Sequence, residues 1–145
     1  MRRIGEPWVS GKPYRDRPGA YALITGAEGL LCVVQDGEVQ LPGGGIDPGE
    51  QPLRALHREV GEETGWRIGE LRRFVAFQRF AWLPDYKFWA RKTQTIYLAR
   101  AVRRLGPPSE PGHTPIWLAP EDAPKHLDVA GDRWAAAEAL RLDLI

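Results

Sequence analysis

Glu59, Glu62 and Glu63 stand at i, i+3 and i+4, a spacing that sets three carboxylates along one flank of a helix. Their mutual repulsion destabilises such a helix unless something cationic sits among them. A hard divalent metal, which prefers oxygen ligands, is the natural occupant. Just upstream lies Gly43-Gly44-Gly45, where backbone can approach a metal or a phosphate with no side chain intervening. A metal beside a glycine-rich turn points to phosphate chemistry.

These groups need elements to hold them. Pro52 suits a first helical position and Gly65 a left-handed helix end, which predicts a helix from about Gln51 to Thr64. On it Leu53, Leu56 and Val60 fall within roughly 60° of one another, and the three acids occupy an adjoining arc of about 100°. One face is thus expected to pack on a sheet while its neighbour lines an opening, with Ala55 keeping that rim unobstructed. Upstream, Ala20 to Thr25 and Leu30 to Gln35 read as strands of a hairpin closed by Gly26-Ala27-Glu28-Gly29. Asp36-Gly37 turns into a short strand near Val39 to Leu41, and Leu41-Pro42-Gly43-Gly44-Gly45 is expected to break regular structure. Downstream, Arg72 to Leu83 and Lys92 to Arg103 are long β-like runs flanking Pro84 to Ala90. A loop from Gly106 to Gly112, a short strand at Ile116 to Leu118 and one helical turn at Pro120 to Lys125 follow. A terminal helix runs from Asp132 to Arg141, with Asp132 near its cap. Residues 1–17 read as an extended arm. The pattern is α+β, helices packed on a mixed sheet, in one domain over residues 1–145.

Composition narrows the class. A net charge of +1 gives no global field toward nucleic acid or an acidic membrane. The one cysteine, Cys32, lies in an apolar run and reads as a buried strand thiol, which excludes an internal disulfide. The N-terminus lacks a signal-peptide pattern and no segment reaches membrane-spanning length, so a soluble cytoplasmic protein is expected.

The stretch Gly44 to Trp66, G-x5-E-x7-R-E-V-x-E-E-x-G-W, resembles the signature of the Nudix hydrolases at each fixed polar and glycine position. A bare E-x2-E-E would read as a solvated acidic face, but the full pattern reverses that reading. The resemblance implies an α/β/α sandwich with a central mixed sheet. It also implies hydrolysis of a pyrophosphate bond in a nucleoside diphosphate linked to another moiety, with Mg²⁺ or Mn²⁺ as cofactor, as in MutT-like members. Carried onto this chain, Glu59, Glu62 and Glu63 resemble the metal-binding carboxylates, and Glu59 the general base of some members. Arg58 resembles the arginine that orients Glu59, Glu50 the acid that braces loop and helix, and the carbonyl of Gly43 or Gly44 the backbone ligand. Trp66 stands where the family usually has an aliphatic residue, and Val39 where many members have an aromatic one. Neither Pro84 nor Tyr86 falls at the offset of the family's ADP-ribose or dinucleoside polyphosphate markers.

Further candidates lie outside the motif. Glu110 is the best match for the additional loop glutamate of some relatives, and His113 a weaker substrate contact, while His57 reads as a surface residue. Tyr86, Lys87 and Trp89, with Trp82, combine aromatic faces with a cation and could stack on a base and contact phosphate; the plain alternative is packing against the sheet or a dimer partner. A small nucleotide is the expected partner, with no specific nucleic-acid binding, no membrane, and a monomer or homodimer. The competing reading is a non-catalytic nucleotide-binding or sensor domain on the same fold.

Overall fold

A computed structural model describes residues 1–145, which build a nine-stranded mixed sheet. Strands β3 (Gly19–Gly26) and β4 (Gly29–Gln35) form the expected hairpin. β5 (Glu38–Gln40) continues it, while β7 (Trp66–Leu83) and β8 (Phe88–Arg104) form a second, much longer hairpin. The two hairpins join through β3 and β8, which run parallel from Gly19↔Gln94 to Thr25↔Arg100. β9 (His113–Leu118) lies antiparallel to β4.

Alternation along β3 sorts the core into two layers. Ala20, Ala22 and Ile24 face helix α1 (Pro52–Thr64), packing with Leu56, Val60, Leu31 and Ile68. Leu23 faces the other way with Cys32, Phe77 and Ile96, against Ala135, Ala136 and Ala139 of helix α3 (Ala130–Arg141). A short helix, α2 (Ala123–His126), completes that second layer. Both sheet faces are covered, which is why β3 and β4 read as continuous apolar runs. The architecture is the expected α/β/α sandwich.

Several expectations need correction. Leu53 is 45% exposed, and its neighbours Pro52 and Arg54 in the first turn of α1 are exposed too, whereas Ala55 is fully buried core rather than an open rim. Gly43–Gly45 does not break regular structure: it forms strand β6, paired with Gly19 to Tyr21 of β3, since ladder hydrogen bonds need no side chain. β7 starts at Trp66, well before Arg72, because bulges around Gly69 to Arg73 absorb the break in alternation. Two pieces of the N-terminal segment join the sheet. β1 (Arg2–Arg3) pairs with β7, and β2 (Arg15–Asp16) with β8. Asp132 does not cap α3, which begins after Val129; it sits buried in the first turn, where its Oδ2 accepts the Leu41 N–H at 3.1 Å. No helix is long and apolar enough to cross a membrane.

Candidate active site

Helix α1 carries the acids, and its ends are fixed by sequence. Pro52 opens it and Gly65, at φ 74°, ends it in the left-handed region, its N–H reaching the Gly61 carbonyl. A Cβ at Gly65 would strike the Gly106 carbonyl, so this end also needs glycine for close approach.

Arg58 organises the exposed flank of the cluster. Its Nε and Nη2 donate to the two carboxylate oxygens of Glu50, each at 2.8 Å, in a fork that only arginine supplies. Nη1 donates to Glu59 at 2.9 Å and stands 3.5 Å from Glu62. Glu50 also accepts the Asp47 N–H at 3.1 Å, which closes the loop before the helix. The guanidinium holds the Glu50 carboxyl down to about 2, with the Asp47 N–H assisting.

Glu63 lies deeper. It is 7% exposed, accepts the Gly43 N–H at 2.8 Å and meets His113 Nε2 at 3.0 Å. Burial, followed by the charges of Glu59, Glu110 and Glu62, lifts its carboxyl to about 8 against the pull of the Gly43 hydrogen bond. Burial likewise raises Glu59, with Glu62 and Glu110 adding to it and Arg58 opposing. Glu110 comes close because the last turn of α1 receives its loop: the Glu62 carbonyl accepts the N–H groups of Ser109 and Glu110 at 2.9 and 2.8 Å. Gly44 completes the arrangement. A Cβ there would lie 2.6 Å from the Glu59 carboxyl carbon, so the carboxylate packs directly on side-chain-free backbone.

A cavity of about 920 Å³ opens from this cluster. Gly43, Gly44, Gly45, Glu59, Glu63, Glu110 and His113 line one part of it; Arg17, Arg79, Lys92, Gln94, Tyr21 and Asp132 are among the residues lining the remainder, with the acids Glu6, Glu38, Asp85 and Asp128. Burial lowers the Lys92 ammonium to about 8 and raises Asp132 to about 7. Glu62 stays outside the lining, with its side chain 37% exposed.

The aromatic candidates do not converge on this cavity. Tyr86 lines it, with the Arg17 guanidinium 5.4 Å from its ring centre. Trp82, Lys87 and Trp89 are absent from the lining. Trp82 packs on Trp89 at 5.5 Å, and Trp89 meets Tyr14 at 6.2 Å and the Lys12 ammonium at 4.5 Å, because the hairpin tip closes on the N-terminal arm. Lys87 is an exposed turn residue at φ 55°. Sequence reasoning missed Arg17, Arg79, Lys92, Gln94, Tyr21 and Asp132 as lining residues. One signal was available: period-two alternation puts Lys92 and Gln94 on the same face of β8 as Ile96, two polar residues on an apolar stripe.

Comparison with known proteins bears on the whole chain. The NUDIX domain family model matches residues 15–140. Over 71 residues the chain is 42% identical to the RNA pyrophosphohydrolase of Helicobacter pylori (strain G27), a match covering 45% of each protein. The matched stretch is therefore under half the length of that relative. Over 107 residues it is 27% identical to a protein of Bacillus subtilis (strain 168) named as a candidate 8-oxo-dGTP diphosphatase, covering 70% of this chain and 72% of that one. Among solved structures, a MutT NUDIX hydrolase from Burkholderia pseudomallei superposes with a TM-score of 0.70 at 25% identity, over 85% of this chain and 97% of that one.

Proposed function

The chain belongs to the Nudix family, and from that membership we propose that it is a divalent-metal-dependent pyrophosphohydrolase acting on a nucleotide. The observation that carries this reading is the half-buried Glu59 packed on the bare backbone of Gly44, with the buried Glu63 accepting the neighbouring Gly43 N–H. Two carboxyls lifted by burial and by the neighbouring acids call for a cation, and a surface with no Cβ leaves room for a phosphate beside it.

The residues fit such a cation. Glu59, Glu62 and Glu63, with a carbonyl of Gly43 or Gly44, offer the all-oxygen donor set that Mg²⁺ or Mn²⁺ takes. No three of the acids or histidines converge as a finished cage, since Glu59 and Glu62 turn toward Arg58 and Glu63 toward His113. Rotation of the partly exposed Glu62 carboxylate is the adjustment this reading requires. When bound, the metal neutralises pyrophosphate charge and makes a coordinated water more acidic.

The chain's own groups supply the rest. Glu59 is the favoured general base: burial raises its carboxyl toward working pH, and Arg58 fixes its direction. Glu110, held by its backbone to Glu62, is the second candidate for that role. Glu50 positions Arg58 and so acts through it. Arg17 and Lys92 bring positive charge to the cavity wall, suited to phosphate oxygens, whereas Arg79 is forked onto Glu6 in the same wall. The names of the relatives point to a nucleoside triphosphate or an RNA as the first substrates to try.

A panel of nucleoside triphosphates, triphosphorylated RNA, sugar nucleotides and dinucleoside polyphosphates, supplied with Mg²⁺ or Mn²⁺, tests the proposal. The expected result is phosphate or pyrophosphate release that falls about 10²–10⁴-fold in Glu59→Gln, while the variant keeps its melting behaviour. Absence of turnover across the panel with either metal would sink the reading.

A further inference from the structure

His113 lies outside the Gly44 to Trp66 pattern, yet it holds the most buried of the acids. The side chains of His113 and Glu63 are 6% and 9% exposed, and His113 Nε2 stands 3.0 Å from Glu63 Oε2. The ring is fixed from behind. Its Nδ1 lies 3.2 Å from the Pro111 carbonyl, and its backbone pairs with Gln35 where β9 joins β4. The other carboxylate oxygen, Oε1, accepts the Gly43 N–H at 2.8 Å. Each oxygen of Glu63 therefore has one partner in the protein.

An ionised carboxylate offers about four acceptor positions, two on each oxygen. His113 and Gly43 take one on each, which leaves one on each for a cation in the cavity that Glu63 lines. The other two acids of the helix are braced differently. Glu59 and Glu62 are tied to Arg58 on the exposed flank, whereas Glu63 has no ion pair with that arginine. Ordering a glutamate side chain costs rotamer entropy, and a partner that orders it beforehand removes that cost from ligand binding. The same contact ties a loop to the helix. Ser109 and Glu110 dock on the Glu62 carbonyl and His113 on the Glu63 carboxylate, so two successive helix positions hold the segment that bears Glu110.

We propose that His113 is a positioning residue, which fixes the buried Glu63 carboxylate in the orientation that takes a divalent cation while its own Nε2 stays on Glu63. The inference rests on the reading of the acid cluster as a metal site and adds the group that aims its most buried member. Hydrogen-bonding partners behind a metal-binding carboxylate typically set metal affinity by about 10–100-fold.

Binding of Mn²⁺ without nucleotide, followed by electron paramagnetic resonance of the free ion, tests this with no turnover required. His113→Asn puts an amide nitrogen about where Nδ1 stands, which keeps the Pro111 contact and loses Glu63. His113→Gln puts one about where Nε2 stands and keeps Glu63. The Asn variant is expected to bind Mn²⁺ about 10–100-fold more weakly, and the Gln variant to stay near wild type. His113→Leu, which fills the ring's volume with no donor, should match Asn and replaces it if that variant fails to fold. Melts in EDTA show whether a variant that binds weakly is still folded. Wild-type affinity in the Asn and Leu variants overturns the proposal, as does tighter binding, which would make His113 a competitor for Glu63. Equal weakening in Gln and Leu also overturns it, since the hydrogen bond would then count for nothing. A wild-type protein that binds no Mn²⁺ removes the metal-site reading and this inference with it, whereas wild-type binding that every variant shares removes this inference alone.

Discussion

Replacing Gly44 by alanine separates the fold from the chemistry. The new Cβ would lie 2.6 Å from the Glu59 carboxyl carbon, whereas ordinary contact begins near 3.4 Å, so the carboxylate must move by about 0.8 Å. That shift draws Glu59 off its 2.9 Å hydrogen bond with Arg58 Nη1. A misplacement near 1 Å in a reacting group costs on the order of 100-fold in rate, equivalent to about 2.7 kcal/mol. Stability should barely respond. The clash is with the flexible end of one side chain, Gly44 is not in the left-handed region, and alanine there reduces unfolded-state entropy by about 0.4–1 kcal/mol. Initial rates at saturating nucleotide and Mg²⁺, set beside urea unfolding, read the two effects apart. Gly43→Ala is the contrast: its Cβ would meet the Ala20 carbonyl at φ 142°, so it should lose stability as well as rate. A Gly44→Ala enzyme within threefold of wild-type kcat would refute the argument. So would a rate loss matched by an equal loss of stability.

Two further outcomes follow from the ion pairs and buried groups. Arg58→Lys keeps one charge but cannot fork to Glu50 while also reaching Glu59, so kcat should fall about 10–100-fold in the same rate assay; wild-type rates would contradict the bracing role. Asp132 has a folded pKa of about 7, raised above its ordinary 3.8 by burial. Its contribution to stability is therefore full below the ordinary value and lost as pH rises through about 7. Melts of metal-free protein at pH 5 and pH 8 should show a loss larger in wild type than in Asp132→Asn by on the order of 1–2 kcal/mol, since Glu63, raised to about 8, loses stability in both. Parallel pH profiles for the two proteins would rule it out.

The sequence disclosed the acid cluster because its logic is local. Helix periodicity, a proline start and a glycine stop suffice to place Glu59, Glu62 and Glu63 on one flank beside Leu56 and Val60. Leu53 was misplaced because the start of the helix, Pro52 to Arg54, is exposed, and periodicity carries no information on how far along its length a helix is covered. The cavity's other wall was hidden for a related reason. Arg17, Gln94 and Asp132 come from the arm, β8 and α3, and only the sheet topology brings them together. Trp82 and Trp89 misled because aromatic residues near a cation fit a packed hairpin tip as well as a ligand. His113 was underrated: its partner Glu63 is 50 residues away, on a different element.

The parallel pairing of β3 with β8 has a consequence for how the chain assembles. Ala20 finds its partner in Thr95, and Arg2 in Phe77. Contacts of such sequence separation close large loops late, which slows folding. The acid-bearing helix is synthesised well before β8 and β9 exist. Until those strands arrive, α1 has like charges on one flank, half a sheet beneath it and no His113 beside Glu63. Assembly of the site is thus a late event: the last third of the chain determines when the acids in its middle acquire their setting.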